Sequence, residues 1–519
     1  MSLDQVSQNN TPMSASAPHL AKADTFVRRS TSNDLPSLRT PRSRSLPPAE
    51  PSAAAQRRYP RYVPAANLSQ CLLDLILIGG SQVAVLSLIY SRLALAGLLE
   101  AAAVVGISIV TSMILLYATG CYRRDAILNR TTALSRVPTA LAISGAVLFL
   151  VLHYGFAVLF PSARVFWSIS RCVTIVLVGT GVSLGAAIIS RNIVRVMLHS
   201  NFFRRRILVV GTGQRARHIE DISHAHGSLQ EIHFVSEDVL TPSVQAPAAE
   251  VPTIGELTDS FSIDEIVVAV DDRSRVALDG LLACKTRGVP VTEFNSYLER
   301  QTGRVELAWL ELPWLIHTPG FQFRLIDDAV KRVMDIVLSM AALIISLPVL
   351  VVAMIAIRLD SPGSVIYRQQ RVTRGGRIFW LYKLRSMRID AEQNGAKWAA
   401  ENDPRITKVG NFLRRSRLDE IPQLVNILIG DMSIVGPRPE RPCFVEDLSH
   451  QLRLYDLRHT VRAGLTGWAQ INYHYGASLE DAQRKLEYDL FYIKNFSLLR
   501  DLGIMLQTLR VVLWPEGVR

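Results

Sequence analysis

Cysteine is scarce in this 519-residue chain, and what there is stands unpaired. Cys71, Cys121, Cys172, Cys284 and Cys443 form no C-x-x-C pair, and three lie in or beside apolar stretches. That excludes a disulfide framework and a zinc site and leaves inert thiols. Large apolar side chains are also few in residues 1–67, which are rich in Ser, Pro, Ala and Arg. Such a segment buries too little surface to fold and is expected to be a disordered basic tail. No hydrophobic signal-type region stands near Met1. Acidic residues are outnumbered: 45 Asp and Glu against 57 Lys and Arg give a net charge of +12. A basic balance suits nucleic acid, an anionic membrane surface or a phosphorylated substrate. Where the charges lie favours the last two, and nucleic acid is not expected as a partner.

What the chain has in abundance is apolar sequence. Hydrophobic residues make up 49% and the mean hydropathy is +0.20, both high for a soluble protein. Four stretches, 70–91, 93–118, 138–160 and 165–189, each approach the ~20 residues that cross a bilayer. Arg57, Arg58 and Arg61 precede the first, while Arg123, Arg124, Arg130 and Arg136 separate the second from the third. Arg191, Arg195 and Arg204 to Arg206 follow the fourth; the other two loops carry only Arg92 and Arg164. The positive-inside rule then places both ends of this bundle, residues 68–192, in the cytoplasm. Asp74 and Glu100 lie in or near the spans and are expected to face the bundle interior.

At Arg206 the pattern changes. The run from Ile207 enters the Gly211-Thr-Gly213 turn, a helical stretch follows, and a second strand appears at 265–270. Strand, glycine turn, helix and strand read as a Rossmann-like α/β domain over 203–300. The fingerprint G-x-G-x-x-A, with Ala216 third, is degenerate, and no acidic residue about 20 positions on completes it. Nucleotide binding and a vestigial or regulatory fold are both open there. A connector, 301–325, leads to Lys331-Arg332 and a fifth apolar run, 333–357. Pro348 sits inside that run, two residues after Ser346, and an interior proline kinks a helix. A plain spanning helix would put all that follows outside the cell. A kinked helix over about 330–357 that enters and leaves by one face keeps it on the cytoplasmic side.

Residues 367–441 are dense with cations and turns. Val409, Phe412, Leu413, Leu424, Val425 and Leu428 fall at helical spacing, so a helix is expected over 409–428, with Asp419-Glu420 in its middle and Pro422 just beyond. Adjacent acids among Arg414, Arg415 and Arg417 have a plain reading, a salt-bridged surface. They also have a chemical one. Cations keep a carboxylate ionised; one acid can hold a divalent cation while the other attacks.

A string of phrases bears on the choice. Asp360-Ser-Pro-Gly363, Tyr367-Arg-Gln-Gln-Arg371, Leu381-Tyr-Lys-Leu-Arg-Ser-Met387, Asp403-Pro-Arg-Ile-Thr407, Leu413-Arg-Arg-Ser-Arg-Leu-Asp-Glu-Ile-Pro-Gln-Leu424, Gly430-Asp-Met-Ser-Ile-Val-Gly-Pro-Arg-Pro439, Gly464-Leu-Thr-Gly-Trp-Ala-Gln-Ile-Asn472 and Tyr488-Asp-Leu-Phe-Tyr-Ile493 follow in order. Together they resemble the bacterial sugar transferase family, the monotopic phosphoglycosyl transferases acting on polyprenyl phosphate, over about 325–519. With the upstream bundle and α/β domain the chain looks like the long form, which includes undecaprenyl-phosphate glucose phosphotransferases of exopolysaccharide synthesis.

The resemblance implies a three-part membrane α/β protein: a four-helix transmembrane bundle, a Rossmann-like domain, and an α-rich catalytic domain, 326–519, with a re-entrant helix. It implies that Asp419 attacks a UDP-sugar, that UMP leaves, and that undecaprenyl phosphate takes up the sugar phosphate. Glu420 matches the Mg²⁺ partner. Lys383, Arg385 and Arg414 match cations near the diphosphate, and Pro437-Arg438-Pro439 matches the motif shaping the nucleotide site. Ser346 and Pro348 match the kink of the re-entrant helix. Localisation follows as the bacterial inner membrane with the catalytic part on the cytoplasmic side; self-association into a homo-oligomer is left open. Glucose is the expected sugar, with galactose close behind. In short family members Asn-Gly-Arg follows the Ala-Gln stretch, whereas Asn472-Tyr473-His474 stands here, so an arginine role there does not carry over. Two other classes remain on the sequence: a membrane-anchored nucleotide-sugar oxidoreductase or dehydratase built on the α/β domain, which lacks a convincing Tyr-x-x-x-Lys, and a non-enzymatic scaffold for polysaccharide assembly.

Overall fold

The computed structural model describes residues 65–89, 95–155, 169–200, 202–225, 230–239, 253–272, 276, 278–321, 325–389, 391, 403–473 and 478–513. The expected disordered tail therefore lies almost wholly outside the described residues, as do Arg57, Arg58, Arg61, Arg92, Arg164 and His474.

Four long helices form the N-terminal bundle: α1 (Ala65–Ile89), α2 (Leu95–Ala118), α3 (Arg130–Leu150, running on as a π turn Val151–Gly155) and α4 (Ile169–His199). They overlap the four apolar stretches. The third starts earlier, with Pro138 accommodated inside it, and the fourth runs ten residues further than 189. Leucine, valine and alanine from all four interlock around Ile78, Leu116, Val137 and Ala187. Polar side chains in the bundle are matched to one another, as a low-dielectric interior requires. Gln70 donates to Ser190 Oγ at 2.6 Å, Gln82 to Ser183 Oγ at 2.6 Å, and Asp74 meets Arg191 at 3.0 Å. Asp74 thus faces the interior; the side chain of Glu100 lies outside the described residues. By length and hydropathy Ala66–Leu88, Thr131–Gly155, Ile169–His199 and Leu325–Asp360 can each cross a membrane, while the second stretch offers the shorter Ala102–Ala118.

Next comes a four-stranded, all-parallel sheet: β1 (Arg205–Val210), β2 (Gln230–Val235), β3 (Glu265–Val268) and β4 (Val291–Glu293), in the order β2-β1-β3-β4. Ile207 to Val210 are buried on both faces, which is why that strand reads as an unbroken apolar run. Helix α5 (Gln214–Ala225) leaves the glycine turn that ends β1.

Helix α6 (Leu325–Asp360) is a single 36-residue element containing Pro348. At ~1.5 Å per residue it is about 54 Å long, well beyond the ~30 Å hydrocarbon layer. Its first turns carry a polar stripe at 328, 331, 332, 335 and 339, one helix face. Each of the first four is bonded to the catalytic part. Asp328 takes Arg462 at 3.0 Å, Lys331 meets Asp501 at 2.5 Å, Arg332 donates to Ile427 O and Leu428 O, and Asp335 accepts the Ile434 N–H at 3.0 Å. Further along, Leu350, Ala353 and Ile357 are buried against Leu384 and Leu413.

The catalytic part follows as the hairpin β5 (Ile366–Val372) and β6 (Ile378–Leu384), α7 (Lys408–Arg415), α8 (Gln423–Ile429), and the parallel pair β7 (Met432–Val435) and β8 (Ala463–Thr466). A helix at Pro442–Gln451, between β7 and β8, and helices α9 (Trp468–Asn472), α10 (Leu479–Lys494) and α11 (Leu498–Leu513) complete it. The expected helix over 409–428 is not one helix. Ser416 ends α7, Arg417 takes a left-handed conformation (φ +58°), and Leu418–Glu420 make a separate 3-10 turn. Pro422, which has no N–H to donate, stands at the cap of α8 instead of inside a helix.

Candidate active site

The break between α7 and α8 sets the site. Because the chain turns left-handed at Arg417, Leu418–Glu420 form a short turn that projects two acids into the angle between α7, β6 and the loop after β7. Asp419 is only 7% exposed, so the salt-bridged surface is not what the structure holds. Thr407 caps α7 by accepting the Gly410 N–H at 3.0 Å, and Gly410 lies against the Ser386 backbone so closely that a Cβ there would overlap it. Asn426 of α8, fully buried, accepts the Tyr382 N–H at 3.0 Å and donates to Trp380 O at 2.7 Å. It satisfies the free edge of β6 and fixes Lys383, on that strand, beside the acids.

Glu420 is ringed by cations. Its Oε1 receives Lys383 Nζ at 3.3 Å and Arg438 Nη2 at 3.1 Å; Oε2 faces Arg417 Nη1 at 3.6 Å. Burial by itself would raise its carboxyl, but Lys383, Arg438 and Arg417 together hold it well below the ordinary carboxylate range. Asp419 goes the other way. Burial pushes it up, and neighbouring Glu420 adds to that against the pull of Lys383, Arg414 and Arg438. Burial likewise lowers Lys383, opposed by Glu420. Two adjacent carboxyls driven apart in this way fit a division of labour, one firmly anionic and one held less firmly.

The structure therefore brings together Asp419, Glu420, Lys383, Arg414 and Arg438. Pro437 and Pro439 flank Arg438 and shape its loop. Arg385 is placed elsewhere: its guanidinium donates to Ser361 O, Ser361 Oγ and Pro362 O at 2.7–2.8 Å and ties down the turn after α6. Ser346 and Pro348 lie in the middle of α6; Ser346 Oγ donates back to Leu343 O at 3.2 Å, near the bond the proline disrupts.

A divalent cation fits this donor set in one particular way. Among the described residues no three acids, histidines or cysteines converge on a metal-sized space. Mg²⁺ needs no such cage; it is commonly held by one or two carboxylates plus substrate phosphates. Were such an ion held here, Glu420, kept anionic and with Oε2 in only loose contact with Arg417, would be its ligand.

Sequence reasoning missed Asn426, Arg458 and Asp489. Arg458 and Asp489 form a buried pair at 3.0 Å. Asp489 lies in the Tyr488–Ile493 phrase but no role was read from it there; an isolated Asn two residues past a Leu, or an Arg in a 3-10 turn, has no local pattern.

At the glycine turn, the Asp271 carboxylate accepts the N–H groups of Gln214 at 2.8 Å and Arg215 at 3.2 Å. Those are the donors at the start of α5 that a nucleotide phosphate would use, and a Cβ on Gly213 would collide with the same carboxylate.

Comparison with known proteins bears on the C-terminal part of the chain. The family model for the bacterial sugar transferase matches residues 326–515. Three relatives illustrate the range. A UDP-N-acetylgalactosamine-undecaprenyl-phosphate N-acetylgalactosaminephosphotransferase of Aeromonas hydrophila is 40% identical over 242 residues, 46% of this chain and 56% of that protein. A UDP-glucose:undecaprenyl-phosphate glucose-1-phosphate transferase of Escherichia coli is 44% identical over 185 residues, 35% of this chain and 40% of that protein. The exopolysaccharide production protein PSS of Rhizobium leguminosarum bv. phaseoli is 38% identical over 192 residues, 35% of this chain and 94% of that protein. The chain belongs to the bacterial sugar transferase family. It spans about half the length of the first two of these relatives.

Proposed function

We propose that this protein moves hexose 1-phosphate from a UDP-sugar to undecaprenyl phosphate, giving undecaprenyl-diphosphate-sugar and UMP, at the cytoplasmic face of the bacterial inner membrane. The observation that carries the reading is the buried Asp419 beside a Glu420 held anionic by Lys383, Arg417 and Arg438. Phosphoryl transfer asks chiefly for positioning and charge neutralisation, and this pocket supplies both. A carboxylate oxygen of Asp419 attacks the β-phosphorus, and the bond from that phosphorus to the bridging oxygen breaks. UMP leaves with the bonding electrons. Lys383, Arg414 and Arg438 are close enough to the acids to meet the charge that gathers on the departing phosphate. An oxygen of undecaprenyl phosphate then attacks the same phosphorus and returns Asp419 to its carboxylate. Glu420 would hold Mg²⁺ there, and the ion would supply further neutralisation of phosphate charge.

The topology of α6 belongs to the same proposal. Both its first turns, through the polar stripe, and its last, through Leu350, Ala353 and Ile357, rest on one catalytic domain. That supports a helix that enters and leaves by one face, bent about Ser346 and Pro348. UDP-glucose is the favoured donor, on the resemblance to exopolysaccharide initiators. The test is UMP release by purified protein from UDP-glucose, UDP-galactose and UDP-N-acetylgalactosamine, with undecaprenyl phosphate and Mg²⁺. Release from at least one donor, abolished by Asp419→Asn, is expected. UMP release undiminished in Asp419→Asn sinks the mechanism, and a preference for another sugar corrects the donor.

A further inference from the structure

The loop Pro437-Arg438-Pro439-Glu440 is held in an unusual way. All four of its backbone carbonyls are taken in succession by donors from three elements: β8, the 3-10 turn Tyr455–Thr460 and β5. Gly464 N–H reaches Pro437 O at 2.8 Å and Arg458 Nη2 reaches Arg438 O at 3.0 Å. Arg371 Nη1 reaches Pro439 O at 3.0 Å and Val372 N–H reaches Glu440 O at 3.0 Å. Two of these donors are guanidinium groups from distant parts of the chain. With both flanking residues proline, Arg438 has little backbone freedom left.

Arg458 is itself fixed from behind. It is almost wholly buried, donates to Asp489 Oδ2 at 3.0 Å and to the Tyr455 hydroxyl at 2.6 Å, and lies over the Tyr455 ring. Arg371 also bonds Gln369 Oε1 at 2.6 Å and Glu440 Oε2 at 3.4 Å. Guanidinium groups bonded in this way, Arg458 buried and Arg371 half-buried, cannot also turn to a phosphate without stranding their partners, which is costly. In a basic pocket both would be taken for substrate cations; their bonds give them another task.

We propose that Arg458 and Arg371 are positioning residues that hold the Pro437–Glu440 loop so that the Arg438 side chain meets Glu420. The chain of contact runs from Asp489 on α10 through Arg458 to the Arg438 carbonyl, and from the Arg438 guanidinium to Glu420. A planar fork is required at 458, because one group must serve Tyr455, Asp489 and a carbonyl in different directions; lysine offers a single nitrogen.

This inference rests on the transferase reading for its kinetic test, so the experiment carries a second, chemistry-free readout. Full-length Arg458→Lys, Arg438→Ala and the double variant are compared for kcat and KM in UMP release. Asp489→Asn serves as a milder variant should Arg458→Lys fail to fold. A hydrogen bond from a charged donor is worth roughly 10- to 100-fold, so Arg458→Lys should lose about that much in kcat/KM. In the Arg438→Ala background the same change should cost less than about 2-fold, since coupled residues are not additive. In parallel, hydrogen exchange of residues 435–441 should quicken in Arg458→Lys. Losses that multiply in the double variant overturn the proposal, as does unchanged exchange in that loop. Should wild-type protein release no UMP from any donor, the transferase reading fails and the exchange result alone judges the loop.

Discussion

The contact between Lys331 and Asp501 is one of four polar contacts that tie the first turns of α6 to the catalytic part, and its removal has a calculable cost. Lys331 Nζ lies 2.5 Å from Asp501 Oδ2, and Asp501 is fully buried. The Tyr492 hydroxyl also donates to Asp501, at 2.9 Å. Lys331→Ala leaves that carboxylate with one neutral partner. Stranding a buried charge in this way costs about 3–5 kcal/mol. For a unit of this size each kcal/mol shifts the midpoint by ~2–4 °C, so the apparent melting temperature should fall by roughly 6–20 °C. Replacing both partners by apolar groups of similar volume, Lys331→Met with Asp501→Leu, should recover most of the loss. The pH dependence has a definite sign. Burial raises the Asp501 carboxyl above its unfolded value, against the pull of Lys331. Folding therefore favours the protonated form; that contribution is fully present below the unfolded value and is lost as pH rises through the folded one. Without Lys331 the folded value climbs further, so the defect of Lys331→Ala should shrink as pH is lowered. The assay is thermal unfolding in detergent at several pH values. A drop under about 2 °C at neutral pH, or a double variant as unstable as the single one, refutes the reasoning.

Three other outcomes are expected. Lys383→Ala removes a cation from Glu420 and from beside Asp419, and should lower kcat in UMP release by on the order of 100-fold or more, as loss of a preorganised charge does elsewhere. Asp271→Ala empties the start of α5 of its internal carboxylate and should cost about 1 kcal/mol, read as a lower melting temperature. Cys443 is exposed on the catalytic part; a membrane-impermeant maleimide should label it in inside-out vesicles and spare it in intact cells, and labelling from outside would refute the re-entrant topology.

Much of this molecule could be read from the chain because its signals are local. Apolar runs place the bundle helices, and the unbroken Ile207–Val210 run marks a strand buried on both faces. The Asp419-Glu420 pair was recognisable from its surrounding phrases. The break between α7 and α8 was not. Helical spacing continues across 409–428, while the turn at Arg417 depends on one backbone angle that spacing does not encode. Lys331 and Arg332 read as charges flanking a membrane run, whereas they belong to a polar stripe whose partners lie about 95 and 170 residues further on. Arg385 stands in the same phrase as Lys383, two residues on, yet it clamps the Ser361-Pro362 turn. Asn426, Arg458 and Asp489 act through bonds to residues remote in sequence, and composition carries no trace of those.

The seam between α2 and α11 fixes how the bundle meets the catalytic part in this chain. Arg123, in the turn after α2, donates to Asn472 Oδ1 at 3.0 Å and to Gln507 Oε1 at 3.3 Å. Gly503 faces Tyr117 so closely that a Cβ would come within 2.7 Å of its hydroxyl. The Rhizobium relative is matched over 94% of its length by 35% of this chain. The side of α11 that carries Gly503 and Gln507 is therefore shaped to the end of α2 and the turn after it. Any side chain introduced at 503 would meet Tyr117 first, so the fit between bundle and catalytic part holds there with glycine and otherwise requires that ring to shift.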